Sequence, residues 1–228
     1  LRNSVAEKNV AGIEIENTDN ADVYNNVARN NTGGLLVFDL PDLPKKNGYN
    51  IQVHDNEIIN NNHYNFSPQG ISVSIVPAGV GMLFMACQGV QAWNNTIKDH
   101  RSLSVAVVNL DFMKQTEDSL FDIYPSALYF YNNTISNDIA TVPDTTRVIG
   151  QALYQYFGDN PPTIVFDGNL NPELESANGN YTGDNRICFS NNGDDVTFYA
   201  IETDNSSIDT YDCTLEPLPA VPDFATEI

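Results

Sequence analysis

Val90-Gln91-Ala92-Trp93-Asn94-Asn95-Thr96-Ile97 is one of four copies of the same pattern. It occurs earlier as Ala21-Asp22-Val23-Tyr24-Asn25-Asn26-Val27-Ala28 and Ile51-Gln52-Val53-His54-Asp55-Asn56-Glu57-Ile58, and later as Leu128-Tyr129-Phe130-Tyr131-Asn132-Asn133-Thr134-Ile135. The consensus is apolar-x-apolar-ring-Asn/Asp-Asn-x-apolar. Between the copies lie short apolar runs opened by small residues: Gly12-Ile13-Glu14-Ile15, Gly34-Leu35-Leu36-Val37-Phe38, Gly81-Met82-Leu83-Phe84-Met85 and Ser104-Val105-Ala106-Val107-Val108. Such a unit, with two or three short strands, cannot bury its own apolar face. Stacked as parallel coils it can, each strand pairing with its equivalent about 4.8 Å above. Asn26, Asn56, Asn95 and Asn133 then superpose as a ladder at one bend, amide bonded to amide from coil to coil. They stand 30, 39 and 38 residues apart because loops intrude, chiefly over 40–48 and 62–78. A sandwich needs no recurring Asn pair, and a propeller blade needs four strands per repeat. The spacing therefore predicts an all-β chain folded as a parallel β-helix, a solenoid with long loops.

Composition agrees with this reading and removes several functions. Thirty of the 228 residues are Asn, a poor helix-interior residue that tolerates turns and left-handed backbone. Thirty acidic against ten basic residues leave a net charge of −20, which repels phosphate backbones and anionic lipid. Nucleic acid is excluded as a partner on that ground. No apolar run reaches eighteen residues, so no transmembrane segment is expected.

Five segments in order carry a family resemblance: Phe38-Asp39-Leu40-Pro41-Asp42-Leu43-Pro44, Val76-Pro77-Ala78-Gly79-Val80-Gly81, Trp93-Asn94-Asn95-Thr96-Ile97, Arg186-Ile187-Cys188-Phe189-Ser190-Asn191-Asn192-Gly193 and Cys213-Thr214-Leu215-Glu216-Pro217-Leu218-Pro219-Ala220-Val221. Together they resemble bacterial right-handed parallel β-helix repeat proteins, exported and often lipid-anchored, with no established activity. The resemblance covers nearly the whole chain. It implies a right-handed coil and further coils before Leu1.

The chain divides at residue 137. Residues 1–137 carry coils, and 138–228 carry the last coils with an insertion and a cap, as one continuous domain. Within the insertion, Val148, Ile149, Ala152, Leu153, Tyr156 and Phe157 follow helical spacing, predicting a helix over 144–157 started at Asp144 and stopped by Gly158 and Pro161-Pro162. Cys87 sits in an apolar run and reads as a buried thiol. Cys188 and Cys213 flank a polar stretch, and a bridge between them is the favoured reading over two free thiols. Such a bridge points to an exported protein: periplasmic, cell-surface or extracellular. The bridged C-terminal segment is the expected cap of one open end. The other end, near Val5 to Ile15, has none in view and needs more coils or another chain to cover it.

The ring position is the most suggestive site. If Val23, Val53, Ala92 and Phe130 point inward, then Tyr24, His54, Trp93 and Tyr131 point outward and stack up one face. Such a stack stabilises consecutive coils, or offers flat aromatic faces to sugar rings. The leading expectation is thus a non-catalytic module that binds surface polysaccharide or a protein partner within a larger assembly. The alternative is a polysaccharide lyase or epimerase using His54 or His100 with Lys98 or Arg101. Against it, the Asp-Pro-His-Asp signature of alginate epimerases is absent, as are the paired-Asp and Gly-His-Gly patterns of polygalacturonases. Lys98-Asp99-His100-Arg101 reads first as a solvated turn. Three scattered histidines argue against zinc and no cofactor is implied. Calcium has one candidate cluster, Asp184, Asn192, Asp194 and Asp195, which also reads as a turn.

Overall fold

The computed structural model describes residues 1–111 and 118–222. β1 (Val5–Glu7) and β2 (Ala11–Glu16) open the chain, and β3 (Ala21–Tyr24), β4 (Val27–Arg29) and β5 (Gly33–Phe38) make the next circuit. β6 (Ile51–His54), β7 (Glu57–Ile59) and β8 (Val80–Met85) follow, then β9 (Gln88–Trp93), β10 (Thr96–Lys98) and β11 (Leu103–Val108). β12 (Ser126–Tyr131) and β13 (Thr134–Ser136) lead into helix α1 (Val148–Phe157), after which come β14 (Ile164–Phe166), β15 (Ile187–Ser190) and β16 (Phe198–Ala200).

These strands form three sheets. The first is ordered β3-β6-β9-β12-β15, the second β1-β4-β7-β10-β13, and the third β2-β5-β8-β11-β14-β16. The pairings are parallel throughout. The chain visits first, second and third sheet in rotation, an arrangement compatible with a parallel β-helix. Register places the four sequence copies directly over one another: Val23, Val53, Ala92 and Phe130 form one column, which Phe189 continues. That column is buried, and it meets Ile58 and Ile97 of the second sheet and Leu35, Met82, Val105 and Ile164 of the third in one core.

The Asn-Asn pair is explained residue by residue. The first member turns the chain in the left-handed region, at Asn25, Asp55, Asn94, Asn132 and Asn191, with φ between 52° and 54°. Short polar side chains tolerate that conformation best after glycine. The second member points inward. Asn26 donates from N and Nδ2 to Asn56 Oδ1, Asn56 likewise to Asn95, and Asn95 to Asn133. The ladder runs one rung further than expected, from Asn133 to Asn192 Oδ1 at 3.1 and 3.0 Å.

A second ladder stands at the next bend. Asn31 donates from N and Nδ2 to Asn61 Oδ1, Asn61 Nδ2 meets His100 Nε2 at 3.2 Å, and the His100 N–H reaches Asn137 Oδ1. The small residues that open the third-sheet strands make room for it. A Cβ at Gly12 would come within 2.6 Å of Asn31 Nδ2, at Gly34 within 2.8 Å of Asn61 Nδ2, and at Gly81 within 3.1 Å of His100 Cε1. The next equivalent is Ser104, which carries a side chain, and there Asn137 is exposed rather than tucked in.

β5, β8, β11 and β14 of the third sheet are buried on both faces, which is why they read as unbroken apolar runs, whereas β2 at the edge leaves Glu14 exposed. Their outer side chains Leu36, Leu83, Ala106 and Val165 join a second apolar cluster with Leu153 of α1. The helix begins at Val148, not at the anticipated Asp144. Asp144 Oδ2 is engaged by the Ala78 N–H and its Oδ1 by Thr146, so its carboxylate ties the two insertions together instead of capping α1.

Candidate functional site: the ring stack of the first sheet

Strand alternation gives the first sheet two outward columns. One holds Tyr24, His54, Trp93 and Tyr131, all half-buried. Their rings stack face to face: Tyr24 on His54 at 5.1 Å and 4°, His54 on Trp93 at 4.4 Å and 10°, Trp93 on Tyr131 at 5.9 Å and 16°. Tyr129 extends the stack sideways, 4.0 Å from Tyr131. Arg2 closes one end, its guanidinium bonded to the Tyr24 hydroxyl and 6.0 Å from the ring. The rings thus stack on one another from coil to coil, and part of each still faces out.

His54 is held from both sides. Its Nε2 lies 3.0 Å from Asp22 Oδ1 and its Nδ1 2.7 Å from Asp55 Oδ2. The ring is packed between those of Tyr24 and Trp93. On the far side of the stack the left-handed turn residues Asn25, Asp55, Asn94 and Asn132 are exposed, adding a row of amides and a carboxylate.

The second outward column is covered by the C-terminal strap. Cys188 and Cys213 form the disulfide, with their Cα atoms 5.0 Å apart. From there the strap runs across the strands. Arg186 Nη2 donates to Thr214 O, Gln91 Nε2 to Glu216 O and Gln52 Nε2 to Pro219 O, at 2.9, 2.7 and 2.8 Å. Each partner sits on a different coil, so the strap stitches coils together and walls the ring stack on one side. A 25-residue disulfide loop stabilises by about 3 kcal/mol in the chain-entropy account. The remaining thiol, Cys87, is buried, and burial pushes its ionisation far up.

The alternative catalytic set does not converge. His100 is a fully buried rung of the second ladder, and desolvation pulls its pKa down to about 3. It has no surface to offer a substrate. Lys98 pairs with Asp138 at 2.8 Å, and Arg101 donates to Val142 O. Lys98 is the last residue of β10 in the second sheet and Arg101 lies in the bend after it, whereas His54 stands on the first sheet. The calcium cluster fails on similar grounds, since Asn192 is the fifth rung of the first ladder. Among the described residues no group of three or more His, Cys, Asp or Glu side chains is placed to hold a metal ion.

Buried carboxylates serve the frame. Asp39 accepts from the Gly48 N–H at 2.6 Å, and burial raises its pKa to about 6. Asp118, pulled down by its Lys46 partner 3.0 Å away, ties two loops. Among the described residues no helix is long and apolar enough to cross a membrane. No family model, curated protein or solved structure matches the chain.

Proposed function

We propose that this chain is a right-handed parallel β-helix, exported into an oxidising compartment, whose ring-stack face binds a neutral polysaccharide without cleaving it. Right-handed connection between parallel strands is the strongly favoured chirality, and the Cys188–Cys213 bridge suits an oxidising compartment. The observation that carries the binding role is the continuous stack of Tyr24, His54, Trp93 and Tyr131, open along its length between a row of amides and a disulfide-anchored strap. Sugar rings present C–H faces to aromatics and hydroxyls to flanking amides and carboxylates. Asp22 and Asp55 beside the stack, with a net charge of −20, select against polyuronates.

Trp93 is the only tryptophan, so emission excited selectively at tryptophan reports on this face alone. Cello-, xylo- and laminari-hexasaccharides are the neutral probes, with oligogalacturonate as the acidic control. At least one neutral probe should shift the emission saturably, and Trp93→Ala should weaken its binding, followed by calorimetry, at least tenfold. A folded Trp93→Ala variant with unchanged affinity sinks the reading, as does silence from every probe.

A protein partner is the second reading, and the outer edges of β1 and β2 favour it. Val5, on β1, is 62% exposed, and among the described residues no strand pairs with the outer edge of β1. A charge on an edge strand blocks edge-to-edge pairing. Self-association seen by light scattering and abolished by Val5→Lys would support that surface. A monomer at every concentration would argue against self-pairing there.

A further inference from the structure

The groove between α1 and the outer face of the third sheet encloses a cavity of about 380 Å³ that is separate from the ring stack. Its size falls in the range of small-molecule sites, and its walls are mostly apolar as such sites require. Leu83, Ala106 and Val165 form the sheet side, with Ile149 and Leu153 opposite on the helix. Along the mouth run Val148, Ala152 and Tyr156, spaced one helical turn apart; Val148 and Tyr156 are 68% and 62% exposed. A helix that packs against a sheet while leaving this stripe uncovered exposes apolar surface that an occupant would bury.

Only one end of the cavity is polar, and its chemistry is specific. Asn109 donates its N–H to Asp167 Oδ2 at 2.5 Å and accepts the Asp111 N–H on its own Oδ1 at 3.0 Å. The second bond fixes which way the amide points. Among the described residues Asn109 Nδ2 is then a buried donor with no partner, beside a carboxylate whose oxygens each accept one bond, from Asn109 and from Asn169. A buried donor left unpaired costs about 1–3 kcal/mol, so an acceptor brought to it is rewarded. A hydroxyl can accept from the amide and donate to the carboxylate at once. A ligand carboxylate would face Asp111, Asp167 and Glu202 together. An ammonium group would satisfy the carboxylates and leave the amide unpaired.

We propose that this cavity binds an aliphatic alcohol: an apolar body held between α1 and the third sheet, with one hydroxyl head at Asn109 and Asp167. The test uses the whole chain with three probes of equal tail, octanol, octylamine and octanoate, titrated by calorimetry and thermal shift. Octanol should bind saturably and raise Tm, with octylamine and octanoate at least tenfold weaker. Ala152→Trp fills the mouth from an exposed helix position and should abolish octanol binding in a folded protein. Asn109→Ala should remove the preference for octanol over octylamine. Equal affinity for all three heads, no octanol binding up to its solubility limit, or octanol binding undiminished in folded Ala152→Trp would each overturn the proposal.

Discussion

Asn95→Ala lowers the unfolding free energy by about 5 kcal/mol, from the loss of four side-chain hydrogen bonds at a site with no solvent access. Asn95 Nδ2 donates to Val53 O at 3.0 Å and to Asn133 Oδ1 at 2.9 Å, while its Oδ1 accepts from Asn56 N and Nδ2 at 3.1 and 2.9 Å. Alanine leaves the Asn56 N–H and the Val53 carbonyl unpaired on the adjacent coil, each at about 1–3 kcal/mol, and adds a cavity the size of an amide. Domains of this size are stable by only about 5–15 kcal/mol, so the variant should sit near the edge of unfolding. Asn95→Asp keeps the acceptor for Asn56 but carries a buried charge and no donor, so it should also be strongly destabilised. Asn94→Gly next door should be almost silent, because Asn94 contributes a left-handed φ of 53° that glycine adopts freely. Urea unfolding of the three variants separates these effects. A loss below about 1 kcal/mol for Asn95→Ala would show that the ladder follows the coils rather than holding them.

That ladder was legible because one residue type recurs at one position of a repeat. The second ladder was not, although it does the same work. Its members Asn31, Asn61, His100 and Asn137 differ in type, and insertions follow two of them. What marks the second bend is the left-handed residue before each of the first three members, Asn30, Asn60 and Asp99, combined with the glycines of the next strand. Read that way, His100 would have been placed inside. The outward rings were legible from strand alternation alone. The strap beside them was not, because Gln52 and Gln91 reach Pro219 and Glu216 across 167 and 125 residues, a distance no local pattern encodes. The cavity was invisible for a third reason: it arises from how α1 docks, and helical periodicity gives the apolar face but not its seat.

Stability should fall, not rise, between about pH 4 and pH 7, and Asp167 is the main cause. Burial raises its pKa from 3.8 to about 7, with Glu202 adding to the rise and the N–H groups of Asn109 and Asn169 opposing it. A folded-state pKa above the unfolded value means the folded chain holds the proton longer. Between about 4 and 7 the native state therefore binds more protons than the unfolded one, and stability drops as pH rises through that window. At about 1.4 kcal/mol per unit, the loss is on the order of 4 kcal/mol by pH 8. Asp39, raised to about 6, acts in the same direction, as does the growing net negative charge. Asp144, held low by the Ala78 and Thr146 N–H groups and the Thr146 hydroxyl despite its burial, opposes this only as pH falls below about 4. The maximum should thus lie near pH 4–5. Asp167→Asn cannot ionise but replaces one of the two accepting oxygens with a donor, so it should be less stable than the parent at pH 4.5 and lose less stability than the parent between pH 4.5 and pH 8. Urea midpoints across this range, in enough salt to screen the surface charge, read the difference directly. Parallel profiles for the parent and Asp167→Asn would place the pH dependence elsewhere, in Asp39 or the net charge.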